Sequence, residues 1–278
     1  MGSEAHDETM TLALVTGTTS GIGLHTAIQL AQRGVTVVAT VRDTARADAL
    51  RSAASEAGVE LDIQALDVTD AEAARALIEA AGPVDILVNN AGRGAVGTLE
   101  QVSDDELQEQ LETNYLSVAR LTRLVLPDMR ERGSGRIVTV TSVGGAVGQP
   151  FSDAYCGAKF AVEGLMQSLA PVVAPFGVDV SIVEPAAVAS SFVDSVHRAA
   201  PGPYAELQQA YLDRAATSFA SAQSAEDAAK TVVEAATTSA PRFRWQTSDA
   251  ATQFAGLSLA DLDGSSVLNV TSGWVRRG

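Results

Sequence analysis

The feature that most constrains this chain is a regular alternation of short β-branched runs with longer, alanine-rich amphipathic stretches. The runs predict strands at residues 12–16, 35–41, 61–66, 84–88, 136–140 and 178–183. The stretches between them predict helices at residues 21–33, 44–57, 70–81, 104–132 and 154–174. Apolar strands that alternate with helices are typical of a parallel sheet covered on both faces. The sequence therefore predicts an α/β fold in which a parallel sheet of about seven strands is doubly wound.

The chain is expected to form a single Rossmann-type domain over residues 11–278, preceded by a flexible tail at residues 1–10. The tail is acidic and lacks the apolar run of a signal peptide. Residues 190–278 are expected to add a small helical substrate-binding appendage, a last strand and a tail. Within them, the linker at residues 199–203 predicts a boundary between two short helices, followed by a helix at 225–237 and an edge strand at 242–246.

Composition narrows the classes of function. The chain has 19 basic and 34 acidic residues, a formal charge of −15, so nucleic acid is excluded as a partner because its phosphates would be repelled. The single cysteine, Cys156, allows no internal disulfide and fits a reducing, cytoplasmic compartment. The three scattered histidines give no metal-ligand pattern, and no apolar run is long enough to predict a membrane span. We therefore expect a cytoplasmic protein that holds no metal.

A glycine-rich turn, TGTTSGIG, joins the first predicted strand to the first helix at residues 16–23. Glycines at this place permit a tight turn and let the backbone approach a pyrophosphate at the helix N-terminus. A plain glycine-rich turn is the alternative, but the position after the first strand of a βαβ unit favours dinucleotide binding. The predicted cofactor contacts in the turn are Gly17, Thr19, Ser20, Gly21, Ile22 and Gly23.

The end of the second strand bears on which dinucleotide binds. A carboxylate there would accept hydrogen bonds from the ribose of NAD, whereas this chain has Val41 followed by Arg42 and Asp43. An arginine suits the 2′-phosphate of NADP, so the sequence favours NADP(H) over NAD(H), with Asp43 and a merely exposed Arg42 as the opposing considerations. Asp67, which ends the third strand, is expected either to accept from the adenine amine or to cap a helix, and Val68 is a neighbouring cofactor contact.

Three side chains predict a catalytic site. Ser142 follows the fifth strand, and Tyr155 and Lys159 lie one turn apart on the next predicted helix. A lysine ammonium favours the phenolate and brings the tyrosine pKa closer to working pH, which suits general acid–base chemistry. A serine hydroxyl can hold a substrate oxygen as charge develops. A Tyr-x-x-x-Lys pair alone is often only a surface pair, so the prediction depends on the three residues together with the glycine-rich turn.

Over residues 10–200 these motifs resemble the short-chain dehydrogenase/reductase family. The turn fits its TGxxxGIG motif, residues 89–92 fit its NNAG segment, and Asn114, Ser142, Tyr155 and Lys159 fit its catalytic tetrad. The resemblance implies that Tyr155 is the acid/base, that Ser142 orients the carbonyl, that Lys159 binds the nicotinamide ribose and that Asn114 holds a water in the proton relay. The cofactor contacts that it implies elsewhere are Asn90, Ala91, Gly92, Tyr155, Lys159, Pro185, Val188 and Ser190.

Within the family, residues 142–145, 150–160 and 175–178 are most similar to the branch of type 1 17β-hydroxysteroid and retinol dehydrogenases. That branch prefers NADP and implies interconversion of a bulky hydrophobic secondary alcohol and ketone, such as a steroid, retinoid or polyketide. The predicted substrate-binding residues are Ser142, Val143, Val147, Phe151, Tyr155 and Phe192. Many relatives have Pro-Gly where this chain has Pro185-Ala186, which puts the geometry of that loop in question.

Two other functions remain open at this stage. One is a reductase of smaller carbonyls or acyl thioesters, and the other is a non-catalytic NADP-binding regulator, which would have no need of the four catalytic side chains. A homodimer or homotetramer is also expected, because the helices at residues 104–132 and 154–174 carry more apolar surface than one face of a sheet needs.

Overall fold

The structure is a computed structural model that describes residues 11–192, residues 196–260 and Gly273. Its strands are β1 Leu12–Val15, β2 Thr36–Val41, β3 Asp62–Ala65, β4 Ile86–Asn89, β5 Ala95–Val96, β6 Gly135–Val140, β7 Val178–Glu184, β8 Val188–Ala189, β9 His197–Arg198, β10 Gln223–Ser224 and β11 Arg244–Gln246. Its α-helices are α1 Gly21–Gln32, α2 Asp48–Ala57, α3 Ala71–Ala81, α4 Asp104–Leu111, α5 Ser117–Arg132, α6 Asp153–Val173, α7 Ala205–Ala220, α8 Ala225–Thr237 and α9 Asp249–Leu259.

Seven of these strands form one parallel sheet in the order β11-β7-β6-β4-β1-β2-β3. The strand order reverses on either side of β1, so β1 and β4 flank the crevice in which doubly wound folds bind ligands. The predicted α/β, doubly wound fold is therefore confirmed. The predicted tail at residues 1–10 lies outside the described residues.

Successive side chains of each strand point to opposite sides of the sheet, and helices pack on both faces. On β1, Ala13 and Val15 belong to the core beneath α1, α2 and α8, whereas Leu14 belongs to the core beneath α3, α5 and α6. The two layers hold the sheet rigidly, and the loops at the carboxyl ends of the strands are positioned by it. None of the helices in the described part of the chain combines the length and apolar character that a bilayer crossing requires.

The helix predicted at residues 104–132 is interrupted. A π turn at Glu112–Leu116 separates α4 from α5, and the buried Asn114 lies inside it. Hydrophobic periodicity does not reveal such an interruption, because the π turn is only five residues long and leaves no pattern of its own. π turns inside α-helices are frequent at functional sites.

The prediction of two short helices around residues 199–203 is wrong on its N-terminal side. The residues before the linker form β9, which pairs in parallel with β5, and Ala199 N donates to Val96 O at 2.8 Å. The linker leads through a 3-10 turn at Gly202–Tyr204 into the 16-residue helix α7. A second short pair joins β10 to β8 after that helix. The predicted helix at 225–237 and the predicted edge strand, here β11, are both present.

Candidate active site

A cleft of about 2200 Å³ runs along the carboxyl ends of the strands and brings most of the predicted site residues together. Its lining includes these predicted residues: Gly17, Thr19, Ser20, Gly21, Ile22, Arg42, Asp67, Val68, Asn90, Ala91, Gly92, Ser142, Val143, Tyr155, Lys159, Pro185, Val188, Ser190 and Phe192. Gly23 and Asn114 are buried next to lining residues and support them. A side-chain carbon at Gly23 would lie 2.3 Å from Asn90 Nδ2, so this glycine serves close packing.

The glycine-rich turn has the shape that a dinucleotide needs. Gly17 has φ +70°, and a side-chain carbon there would lie 2.8 Å from the Cα of Ala91. Asn90 Nδ2 donates to Thr16 O at 2.9 Å and to Gly17 O at 3.0 Å, which ties the loop after β4 to the turn. Gly21, at φ +62°, begins α1, whose first-turn N–H groups have no partners within the helix. Such donors, at a helix N-terminus that lines the cleft, fit a pyrophosphate.

At the end of β2, Val41 is buried, and Arg42 and Arg46 line the cleft. The side chain of Asp43 is engaged in its own turn, where Oδ1 accepts from Ala45 N at 2.9 Å. The cleft at this place is therefore lined by two arginines and by Asp43, one of whose carboxylate oxygens has a backbone partner.

Asp67 lines the cleft at the end of β3 and does not cap a helix. The cap of α3 is Asp70, whose Oδ1 accepts from the backbone N of Glu72 and of Ala73 at 3.0 Å each. Asp67 Oδ1 instead accepts from the N and the Oγ1 of Thr69, at 2.9 and 2.7 Å. These hydrogen bonds, aided by the charge of Arg42, lower the pKa of Asp67 and keep it ionised.

Ser142, Tyr155 and Lys159 share one wall of the cleft. Ser142 Oγ accepts from Gly144 N at 2.9 Å and also makes a hydrogen bond with Tyr155. Lys159 Nζ lies 5.8 Å from the centre of the Tyr155 ring and donates to Val140 O at 3.1 Å. The end of β6 therefore positions the serine and restrains the lysine, and α6 sets the spacing between lysine and tyrosine.

Burial is the largest cause of the pKa shifts of Tyr155 and Lys159. It raises the pKa of Tyr155 above its ordinary value, and the hydrogen bond with Ser142 opposes that shift only in part. Burial lowers the pKa of Lys159 to about 8, against the opposing charge of Glu163. The expected lowering of the tyrosine pKa by the lysine is therefore not found: besides burial, the charges of Cys156 and Tyr211 raise this pKa, and only the hydrogen bond with Ser142 lowers it. At neutral pH the phenol is protonated and most of the lysine is charged, which is the form in which the pair can donate a proton.

Asn114 is fully buried behind the cleft, beside the lysine. Its Nδ2 donates to Arg93 O at 2.9 Å and its Oδ1 accepts from Arg93 N at 3.2 Å. A side-chain carbon at Gly92 would lie 3.0 Å from Asn114 Oδ1 and 3.7 Å from Lys159 Nζ. The missing side chain of Gly92 therefore leaves open the space that these two polar atoms share.

Two of the predicted substrate residues do not line the cleft. Val147 is completely buried in a small core with Ala255, and Phe151 is buried against Tyr211, with 5.7 Å between ring centres. Their apolar character reflects packing, so the prediction that they wall the pocket is corrected. Phe192, by contrast, lies on the cleft with its ring centre 6.3 Å from that of Tyr155.

Tyr211 and Gln149 line the cleft and are absent from the sequence predictions. Tyr211 comes from α7, and its hydroxyl lies 3.1 Å from Ser152 Oγ. No local motif announces such a residue, because its place in the site depends on how α7 folds back over the cleft. Residues of α7 line the cleft, which agrees with the expected helical appendage after the linker.

A buried charge cluster lies under the catalytic wall and also escaped sequence analysis. Glu163 Oε2 accepts from Arg244 Nη1 at 2.7 Å, and the same nitrogen donates to Glu184, which is fully buried. Burial and the charge of Glu184 raise the pKa of Glu163 to about 7. The available sequence signal was the position of Glu163, one turn beyond Lys159 on the same face of α6.

Comparisons with known proteins agree with this architecture. The family model of the short chain dehydrogenases matches residues 11–200. Human 17-beta-hydroxysteroid dehydrogenase type 1 is 42% identical over 195 residues, which are 67% of this chain and 59% of that protein. Human retinol dehydrogenase 8 is 37% identical over 273 residues, 93% of this chain and 88% of that protein. The chain belongs to the short-chain dehydrogenase/reductase family of oxidoreductases and resembles this branch of it.

Solved structures are similar to this chain over most of its length. A short chain dehydrogenase/reductase from Burkholderia phymatum, solved with NAD, is 27% identical, with a TM-score of 0.81 over 92% of this chain and 95% of its own. A point variant of actinorhodin polyketide ketoreductase, solved with NADPH, is 30% identical, with a TM-score of 0.72 over 85% of this chain and 95% of its own. Relatives of this fold thus bind either dinucleotide, and the residues of this chain must distinguish them.

Proposed function

We propose that this protein is an NADP(H)-dependent oxidoreductase that interconverts a bulky hydrophobic ketone and its secondary alcohol. The observation that carries the proposal is the convergence of Ser142, Tyr155 and Lys159 on one wall of a cleft whose other end has the shape of a dinucleotide site. A nicotinamide dinucleotide, when bound there, supplies or accepts the hydride. The residues of the chain bind the two reactants and move the proton.

Tyr155 donates its phenolic proton to the carbonyl oxygen during reduction. Its raised pKa keeps it protonated at neutral pH, which is the form that reduction of a ketone requires. Ser142, hydrogen-bonded to the tyrosine, holds the same carbonyl oxygen in place as negative charge develops on it. Lys159 carries positive charge next to the phenol and stabilises the phenolate left by proton transfer. Asn114 and Lys159 would hold a water through which the proton is returned to the tyrosine.

NADP(H) is proposed as the cofactor because of the charges at the end of β2. Arg42 and Arg46 line the cleft, where they suit a 2′-phosphate, and Asp43 is held by Ala45 N at 2.9 Å. This bond occupies one of the two carboxylate oxygens of Asp43, which also lines the cleft, so the two arginines carry the proposal. The buried Val41 offers no hydrogen bond to NAD either.

A bulky apolar substrate is proposed because of the surfaces beside Tyr155. The Phe192 ring lies near the tyrosine ring, and Val143 together with Tyr211 and Phe219 of α7 also lines the cleft. Aromatic and aliphatic walls around a few polar groups are typical of sites for drug-sized apolar ligands. The names of the two human relatives, a hydroxysteroid and a retinol dehydrogenase, point the same way.

The test is oxidation of NADPH by the purified protein with a panel of ketones that includes steroid ketones, aliphatic ketones of increasing size and an acyl thioester. Wild type should be fastest with the bulky ketones. Tyr155→Phe should lower kcat by about 10²–10⁴, because it removes the general acid, and should leave the Kd for NADPH nearly unchanged.

Tyr204→Phe is the matched control, because this exposed hydroxyl donates to Glu100 away from the cleft. A Tyr155→Phe variant within about threefold of wild type would place the acid elsewhere. A preference for small polar ketones or the thioester would favour the second enzyme hypothesis. NADPH binding without turnover of any substrate would favour a regulator.

A further inference from the structure

Four polar side chains between residues 142 and 155 line the cleft: Ser142, Gln149, Ser152 and Tyr155. Ser142 and Tyr155 are hydrogen-bonded to each other, and Ser152 Oγ lies 3.1 Å from the hydroxyl of Tyr211. The side-chain amide of Gln149 makes no hydrogen bond with any other residue that the structure describes. Its N–H donors and its oxygen are therefore available to a ligand in the cleft.

The Gln149 amide lies close to the two residues that hold the carbonyl oxygen in the proposed reaction. A side-chain carbon at Gly144 would lie 3.2 Å from Gln149 Nε2, 3.3 Å from Ser142 Oγ and 3.3 Å from Tyr155 Cε1. The three side chains therefore surround the same small gap. When Ser142 and Tyr155 hold a carbonyl oxygen, a second substrate oxygen within hydrogen-bond reach of Gln149 belongs to a carbon close to that carbonyl.

Gln149 begins a strained turn. Ser152 N donates to Gln149 O at 3.1 Å across Pro150 and Phe151, and Phe151 has φ +58°. Proline at the second position and a positive φ at the third are the signature of a type II turn, in which glycine or asparagine normally takes the third position. A phenylalanine there costs free energy, and such strain is concentrated at functional sites. The turn is thus marked as part of the site by its backbone as well as by its place.

Contacts with other elements hold this turn in place. The Phe151 ring packs on that of Tyr211, with 5.7 Å between ring centres, and Phe151 O accepts from Gly97 N at 2.8 Å. Ser152 is the N-cap of α6, where a serine normally accepts from a backbone N–H of the helix. Its side chain makes no such bond and contacts the Tyr211 hydroxyl instead. The contacts with α7 therefore keep the turn, and with it Gln149, against the cleft.

Apolar side chains lie near Gln149 in the cleft. Val143 and Phe192 line it, and the Phe192 ring centre is 6.3 Å from that of Tyr155. A polar group among apolar walls fixes the orientation of a ligand and provides specificity. A substrate that covers the amide without offering it a partner leaves a polar group unpaired, which costs binding free energy, whereas a matching oxygen gains a hydrogen bond.

We propose that Gln149 is a specificity-determining residue that binds a second oxygen of the substrate. The preferred ketone then carries a hydroxyl or carbonyl group on one of the two carbons that follow the reacting carbonyl. The inference rests on the proposed function, which places the carbonyl oxygen at Ser142 and Tyr155. Gln149 accepts either kind of group, because its Nε2 donates to a carbonyl and its Oε1 accepts from a hydroxyl. It takes no part in the proton transfer.

The test compares ketones that differ only in the second oxygen. One pair is 2,2-dimethylcyclohexanone and 2,2-dimethylcyclohexane-1,3-dione, and the other is 1-tetralone and 2-hydroxy-1-tetralone. Within each pair, the ratio of kcat/KM for the dioxygenated ketone to that for its partner should fall roughly five- to tenfold from wild type to Gln149→Leu, the effect of one lost neutral hydrogen bond. The intrinsic reactivities of the ketones cancel in this comparison of ratios.

Two further variants sharpen the test. Gln149→Glu accepts but does not donate, so it should lose the preference for the diketone and keep that for the hydroxyketone. Gln32→Leu is the matched control, because this glutamine is exposed at the end of α1 and is not among the residues that line the cleft. It should leave both ratios at the wild-type values. The Tm of each variant reports general damage.

Binding to Tyr155→Phe with NADPH bound, measured by calorimetry, gives a readout that is independent of turnover. Adding Gln149→Leu should weaken the binding of the dioxygenated ketones about five- to tenfold and change that of their partners little. Ratios that are the same with and without Gln149, in kcat/KM and in Kd, would overturn the inference. Kd ratios that depend on Gln149 in a protein that turns over none of the ketones would overturn only the proposed function, and a failure to bind any of them would overturn both.

Discussion

Asp43 is the residue that decides how Arg42 can act. Its Oδ1 caps the turn at Thr44–Arg46, and the described residues show no ion pair between Asp43 and Arg42. We therefore predict that Val41→Asp, which puts a carboxylate at the end of β2 that is not engaged in that turn, changes the cofactor preference toward NADH by repelling the 2′-phosphate.

The measurement for this prediction is the ratio of kcat/KM with NADPH to that with NADH. Wild type should favour NADPH, Val41→Asp should lower the ratio, and Arg42→Ala should lower it through loss of the guanidinium. Arg51→Ala is the control, since this arginine pairs with Asp48 on α2 outside the cleft. Equal ratios for wild type and Arg42→Ala would mean that Arg42 is only a surface charge.

Phe192 supports a second prediction at the residue scale. Its ring lies 6.3 Å from Tyr155, so Phe192→Ala removes apolar contact next to the reacting group. KM should rise more for a bulky ketone than for a small one, because only the large substrate reaches this surface. The small ketone serves as the internal control, and equal changes in both KM values would assign Phe192 a structural role alone.

At the scale of elements, α6 carries two catalytic side chains and a buried carboxylate. It brings Tyr155 and Lys159 to the cleft, and one turn later it buries Glu163 against Arg244 of β11 and Glu184 of β7. Two carboxylates around one guanidinium leave an excess negative charge in the interior. The raised pKa of Glu163, about 7, follows from that arrangement.

Stability should depend on pH through this residue. Between its ordinary value near 4.3 and about 7, Glu163 binds more protons in the folded protein than in the unfolded chain, so the free energy of unfolding falls as the pH rises. Glu163→Gln removes this dependence and keeps an acceptor for Arg244. Relative to wild type, the variant should therefore gain stability from about pH 5 to about pH 8.

Denaturant unfolding at several pH values checks this prediction, with Glu79→Gln on the exposed side of α3 as the control. If the stability difference between Glu163→Gln and wild type is the same at every pH, Glu163 is ionised throughout and the excess charge is balanced elsewhere.

The elements also show how far the sequence could predict this structure. The apolar runs of β1, β4, β6 and β7 and the amphipathic stretch of α8 were identifiable, because burial on two faces or on one stripe leaves a periodic pattern. The pairs β5–β9 and β8–β10 have two residues per strand and depend on partners far along the chain. No periodicity can develop over two residues. The π turn around Asn114, with five residues, is also too short to leave a pattern in the sequence.

The residues of the candidate site also fall into those that the sequence could predict and those that it could not. The residues of TGxxxGIG, NNAG and the tetrad were predictable because each motif is local and the chemistry restricts its residue types. Tyr211 and Glu163 were not, since their roles arise from contacts across elements. Val147 and Phe151 show the opposite error, in which apolar residues next to a motif belong to the core.

For the whole molecule, we predict a homodimer whose interface is the surface at and around α5 and α6. Large apolar side chains are exposed there: Leu111, Leu116, Phe160, Val172 and Phe176. Clusters of exposed apolar groups mark interaction surfaces, and a two-fold axis would bury the same patch on both subunits.

Light scattering should give twice the 28.7 kDa of the chain at micromolar concentration. Val172→Glu, which charges a side chain that is 63% exposed on α6, should shift the mass toward the monomer. Leu259→Glu, which charges a side chain 53% exposed on α9, is the control and should not. A monomeric wild type would rule the prediction out.

The two short strand pairs have a consequence for how substrate range can change. Residues 199–222, which include α7, lie between β9, joined to β5, and β10, joined to β8. Both junctions are made by backbone hydrogen bonds, which any sequence can supply. We therefore expect that a donor segment from a relative can be grafted between the same two junctions, where it would change the part of the cleft that α7 lines and leave Ser142, Tyr155 and Lys159 in place.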